Sequence, residues 1–126
     1  MAYFWVALGS AAGGMARFGV STAVSRILGG LFPWWTLGIN VLGCFLIGFV
    51  SSITAPEGRM ASPQYVRQLF MPGFCGGFTT FSAFSLEVFV LIDQRQPLKA
   101  GTYVLASVIL CLAAVWLGVL AGKQRA

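Results

Sequence analysis

Residues 73–87 read GFCGGFTTFSAFSLE, a block that carries three glycines, two threonines, two serines and Glu87 inside an otherwise long apolar run. Glycine and threonine are weak helix formers, and Pro72 just upstream lacks an N–H and crowds the preceding turn. A helix entering this block is therefore expected to break, over Gly76 to Thr80. Irregular backbone at membrane depth survives only where it is buried in protein or lines a cavity, because its N–H and C=O groups must find partners. The break should hold something, and freed carbonyls suit a hard cation.

Working outward, the whole chain is apolar. Of 126 residues, 58% are hydrophobic and only 9% charged, and the mean hydropathy is +0.85, whereas soluble domains carry about 25% charged residues. This composition describes an all-α integral membrane protein. Four stretches, residues 2–28, 34–54, 64–92 and 98–122, are long enough to cross a hydrocarbon core of about 30 Å, and the links between them are too short for a further domain. The chain is thus expected to be one four-helix domain over 1–126 with its third helix broken, multi-pass in the cell (inner or plasma) membrane and surrounded by lipid. No Lys or Arg precedes Arg17 and the first apolar run is longer than a signal-peptide core, so it is expected to stay in the mature protein. The net charge of +5 is spread over segment ends rather than gathered on one face, which argues against nucleic acid as a partner.

Four spans place Arg59, Arg67, Lys123 and Arg125 on one side and Arg26, Arg95 and Lys99 on the other. Such a balance gives the positive-inside rule nothing to act on, so the chain can insert either way up and an antiparallel homodimer becomes possible. The pairs Gly9/Gly13, Gly73/Gly77 and Gly118/Gly122 have GxxxG spacing, which serves packing within a subunit as readily as between two. Cys44, Cys75 and Cys111 each fall within a span, have no metal-ligand spacing and read as small apolar side chains. No phosphate loop, nucleophile elbow or paired carboxylates occur, so the chain does not read as an enzyme.

Polar groups inside spans are costly and face a bundle interior or a watery path. They are Arg17, Asn40, Thr79, Thr80, Ser82, Ser85, Glu87 and Ser107. Arg17 either snorkels to the headgroups or sets the electrostatics of a vestibule. Asn40 either hydrogen-bonds across helices or offers its amide donors to an anion. Phe81 and Phe84 share a helix face, and their positive ring edges either pack as core or meet an anion.

The block at 73–87 resembles the signature of the Fluc (CrcB) fluoride channels, approximately G-F-x-G-G-[LF]-T-T-F-S-[TA]-F-S-x-E. GSAAGGMARF at 9–18 and WTLGINVLGCFLIG at 35–48 are similar to that family's first-span and second-span regions. The resemblance covers essentially the whole chain. It implies an antiparallel dual-topology homodimer with two fluoride pathways and a structural Na+ at its centre, giving passive fluoride export and resistance to fluoride. It implies that the backbone carbonyls of Gly76 and Thr79 hold Na+, that Phe81 and Phe84 turn ring edges to fluoride, and that Asn40 supplies the pore amide. Thr80, Ser82, Ser107 and Tyr103 would complete the pathway, with Arg17 and Glu87 in vestibule or structural roles. The chain departs from the family in placing Trp35 where a glycine usually precedes the threonine, and Cys111 where some members have serine.

Two other readings stand beside it. A small proton-coupled multidrug-type exporter has four spans and dual topology but needs a membrane carboxylate early in its first span, for which Glu87 is the only substitute. A purely structural membrane subunit needs no transport at all.

Overall fold

The computed structural model describes residues 1–29, 32–58 and 60–124. Among the described residues six α-helices run in chain order: α1 (Ala2–Leu28), α2 (Trp34–Thr54), α3 (Gln64–Gln68), α4 (Gly76–Phe78), α5 (Phe81–Asp93) and α6 (Pro97–Gln124). Between α3 and α4 the chain winds as a π-helix over Leu69–Cys75. No strand occurs among the described residues. The stretches Trp34–Thr54, Gln64–Asp93 and Pro97–Lys123 are long and apolar enough to cross a membrane. The 27-residue α1 rises about 40 Å and has the length as well, but its glycines, serines and Arg17 dilute its apolar character.

The third apolar segment is broken, as its composition predicts, but more narrowly and further along than Gly76 to Thr80. Pro72 lies inside the π-helical segment, where wider winding accommodates a residue that has no N–H to give and a ring that crowds the i−4 carbonyl. The Gly76 N–H bonds back to Gly73 and Met71, and Gly76 itself is helical at φ −64°, ψ −38°. Only Thr79 (φ −87°, ψ 158°) and Thr80 (φ −150°, ψ 117°) are extended. The glycines thus do not make the break; two β-branched residues do. Helix α5 then starts with the Thr80 hydroxyl accepting from the Ala83 N–H, an N-cap of the usual kind.

That break passes the third segment from one neighbour to another. Its first half packs on α1, while α5 packs on α6. The α1 contact is built on glycine: a Cβ on Gly9 would strike the backbone at Leu69 and Phe74, one on Gly13 that at Phe74 and Phe78, and one on Gly77 would lie 2.6 Å from the Ser10 carbonyl oxygen. A second glycine contact joins α2 and α6, where Gly48 meets the Val115 backbone, Gly118 meets that of Phe45, and Gly122 meets Ser52. Residue numbers rise together along both helices, so α2 and α6 run parallel. Within the subunit, the GxxxG pairs are occupied in this packing.

The buried cluster Leu37, Leu91, Ala100 and Tyr103 ties α2, α5 and α6 together, with Phe84 and Val88 packed on it. Arg67, placed by the charge count on the loop side, donates from Nη1 to Thr54 Oγ1 (2.8 Å) and to the Ser51 carbonyl (3.3 Å), a cation closing the C-terminal end of α2. Arg59 and Arg125 of the same count lie outside the described residues.

Candidate functional site

Asn40 faces the break and holds both backbone groups of Thr80. Its Oδ1 accepts from the Thr80 N–H at 2.9 Å, and its Nδ2 donates to the Thr80 carbonyl at 3.2 Å. A side-chain amide thereby takes the place of a helical neighbour for an extended residue. The substitution has a second effect on the carbonyls before it. In an uninterrupted helix the Gly76 carbonyl would accept from Thr80 N–H and the Thr79 carbonyl from Ala83 N–H. The first donor is given to Asn40 and the second to Thr80 Oγ1, which releases both carbonyls from the helical ladder. The Gly77 carbonyl is approached by Arg17 Nε at 3.4 Å, so Arg17 points inward at the break rather than away to headgroups. Thr79 turns its hydroxyl back to the Cys75 carbonyl at 2.9 Å and its methyl towards Gly43.

Beside the break lies a cavity of about 260 Å³, lined by Asn40, Cys44, Thr79, Thr80, Phe81, Phe84, Ser107, Val108 and Cys111. Its polar edge is made by Asn40, Thr80 and Ser107. Ser107 is only 7% exposed and its Oγ has no hydrogen-bond partner among the described residues, a costly state unless something enters to satisfy it. The aromatic edge is Phe81 and Phe84, with ring centroids 5.5 Å apart at 42°. Phe81 is 77% exposed, and Phe84 rests on Tyr103 at 5.0 Å.

The structure thus brings Asn40, Thr79, Thr80, Phe81, Phe84 and Ser107 to one cavity. Ser82 stands at its rim, 3.2 Å from the Thr80 hydroxyl. Tyr103, expected on the pathway, is instead wholly buried behind Phe84 and donates to Glu87 Oε1 at 2.8 Å, while Thr36 Oγ1 donates to Glu87 Oε2 at 2.8 Å. Glu87 is therefore an anchored acceptor that binds α2, α5 and α6. Gly76 and Arg17 lie outside the cavity wall.

Thr36 is not singled out by the sequence reading and Cys44 reads there only as a small apolar side chain, although a signal for both exists. Thr36, Asn40 and Cys44 follow one another at intervals of four on α2, and Tyr103, Ser107 and Cys111 do the same on α6. Polar residues four apart share a helix face, so each helix carries a polar stripe. The two stripes come together because α2 and α6 are parallel and in register, with Gly48 opposite Val115.

A family model described as "CrcB-like protein, Camphor Resistance (CrcB)" matches residues 4–119. Several curated relatives are similar over nearly their full length. A protein of Methylocella silvestris is 51% identical over 118 residues, 94% of this chain and 90% of the relative. One of Opitutus terrae is 48% identical over 116 residues, 92% and 88% of the two chains, and one of Paramagnetospirillum magneticum is 48% identical over 118 residues, 94% and 92%. Each of the three is named "Fluoride-specific ion channel FluC". Apolar helices interrupted at a polar, aromatic-edged cavity are thus accompanied by sequence identity across nearly the whole chain, and the protein belongs to the CrcB family.

Proposed function

We propose that this multi-pass membrane protein is a fluoride-selective channel that lets the ion leave the cell passively. The observation that carries the reading is the cavity at the break, where a buried Ser107 hydroxyl without a partner stands with the Thr80 hydroxyl and an amide N–H of Asn40. Fluoride is small and strongly hydrated, so it enters protein only where donors replace its water. Neutral donors do so without the deep trap a buried cation would make. The ring edges of Phe81 and Phe84 add positive quadrupole character along the same wall. Asn40 has two tasks here, since one of its N–H groups fixes Thr80 and the other would be offered to the ion.

The reading of the full assembly draws on the same residues. We read α1 as the first of four spans and the working unit as two antiparallel copies of the chain. Phe81, large, apolar and exposed in one subunit, would be covered by the second copy. The released carbonyls of Gly76 and Thr79 are hard oxygen donors and fit a buried Na+ when two copies bring their breaks together. That ion would neutralise the facing carbonyl dipoles and hold the dimer. This chain's own contribution is to keep both carbonyls free, through Asn40 and Thr80.

The exporter reading would need Glu87 to exchange protons with bulk water, and its anchoring by Thr36 and Tyr103 argues against that use. The test is ion efflux from liposomes containing the purified protein alone. Fluoride should leave the loaded vesicles and chloride far more slowly. Equal rates for the two anions, or no flux at all, would refute the assignment.

A further inference from the structure

The polar stripes of α2 and α6 meet in pairs whose numbers differ by the same amount. Thr36 and Tyr103 converge on Glu87, Asn40 and Ser107 line the cavity at the break, and Gly48 touches Val115 further along. Cys44 and Cys111 occupy the remaining step in this register, between the second pair and the glycine contact. Both line the cavity and both are partly accessible rather than buried, and the register sets them at the same level of the two helices. Glycine at 48 and 118 lets the two backbones approach in the next turns of the same helix pair. The third cysteine, Cys75, is buried outside the cavity wall, and no group of three His, Cys, Asp or Glu able to hold a metal occurs among the described residues.

We propose that Cys44 and Cys111 form a two-sulfur site for a soft d10 cation that prefers linear coordination, of the class of Hg2+, Ag+ or Cu+, and that the bound ion blocks the cavity. Thiolates are soft ligands and select such ions over the hard cations that carbonyl oxygens hold. Two sulfurs facing each other satisfy a linear ion completely, whereas tetrahedral zinc would need two ligands more. With Hg2+ the two S–H bonds break, two S–Hg bonds form, no electrons are transferred, and two protons leave to water in the cavity. The ion then sits next to Ser107, four residues from Cys111 on the same face. The metal site stands on the cysteine pair alone; its effect on fluoride rests on the channel reading above.

The experiment uses the full chain in detergent, treated with one equivalent of Hg2+ and washed with an excess of a monothiol. Wild-type protein should retain one mercury per chain. Cys44→Ser and Cys111→Ser should each weaken retention on the order of a hundredfold, because the second thiol of a pair acts at high effective concentration. Cys75→Ala should retain the metal. On wild-type protein, bound Hg2+ should protect Cys44 and Cys111, and not Cys75, from maleimide labelling as read by peptide mapping, a measurement that does not depend on any variant folding. Full retention in either serine variant, or protection of only one of the two cysteines, overturns the site. In liposomes, Hg2+ should stop fluoride flux through wild-type protein and not through Cys44→Ser, each compared with its own untreated rate. Retained metal with continuing wild-type flux overturns the block. If untreated protein carries no fluoride, the channel reading fails while mercury retention still decides the metal site.

Discussion

The contact between Gly43 and Thr79 offers a test in which the effect of one substitution is reversed by another. A Cβ added at Gly43 would run into the Thr79 Cγ2 methyl, with Phe78 Cδ2 at 3.4 Å and Thr79 Cβ at 3.7 Å as the next neighbours. The methyl cannot rotate away, because the Thr79 hydroxyl is held to the Cys75 carbonyl at 2.9 Å and fixes the rotamer. Overpacking of this kind costs about 1–3 kcal/mol, and an unyielding methyl belongs at the upper end. Alanine in place of a helical glycine returns up to about 1 kcal/mol, so Gly43→Ala should destabilise by about 2 kcal/mol. Thr79→Ser deletes the offending methyl while keeping the hydroxyl. In that background Gly43→Ala meets only ordinary contacts and should be neutral, or stabilising by up to about 1 kcal/mol through helix propensity alone. The double-mutant cycle should therefore give a coupling of roughly 2–3 kcal/mol, and the sign of the Gly43→Ala effect should be lost or inverted. Reversible unfolding in detergent, followed by tryptophan fluorescence, supplies the four free energies, and fluoride efflux supplies a parallel readout. A coupling below about 0.5 kcal/mol, the size expected for unconnected sites, would show that α2 does not pack against the break at this point.

Asn40→Ala leaves the N–H and C=O of Thr80 without their partners and should cost about 2–6 kcal/mol, two unsatisfied backbone groups at about 1–3 kcal/mol each. Asn40→Asp keeps the acceptor but turns a second oxygen on the Thr80 carbonyl, so it should lose both stability and fluoride flux; normal unfolding of both variants would remove Asn40 from the break. Phe81→Ile should lower flux with little loss of subunit stability because the ring is exposed, whereas Phe84→Ile should cost about 1–2 kcal/mol as well, since that ring packs on Tyr103; unfolding and efflux measured together separate the two, and undiminished flux in both would make the rings mere packing. Arg95 sits at φ 59° in a cap where Gln96 N–H reaches the Leu91 carbonyl at 2.8 Å and Arg95 N–H that of Ile92 at 3.0 Å. Arg95→Gly should raise stability by about 1 kcal/mol, and a loss instead would mean that the arginine side chain matters more than its backbone. Replacing Na+ by a large organic cation, with prolonged dialysis, should lower flux and loosen the dimer; identical flux in both salts would leave the carbonyls of Gly76 and Thr79 without a cation.

The membrane class, the helices and the existence of a break were all legible in the sequence, because each depends on local composition. Hydropathy and length decide whether a segment can cross lipid, and Pro72 followed by the Gly76–Thr80 block disfavours a regular helix through this stretch. Phe81, Phe84, Asn40 and Ser107 could be named as well, by motif and by the cost of polar groups among apolar ones. The position of the break was a tertiary matter. Gly76 to Phe78 remain helical because π-winding at Pro72 feeds them donors and acceptors, and Thr79–Thr80 leave the helix because Asn40, forty positions away from Thr80, supplies the partners that an extended backbone needs. Tertiary contacts also decided which side of the wall each residue takes. Tyr103 reads as a pathway group and Glu87 as a vestibule or structural one in one dimension, and the packing of α5 on α6 buries the tyrosine behind Phe84 and uses the carboxylate on two hydroxyls. Cys44 and Cys111 read as inert apolar side chains for the same reason. Sixty-seven positions separate them, and only the parallel packing of α2 on α6, set by backbone contact at Gly48 and Gly118, brings the two thiols to one cavity.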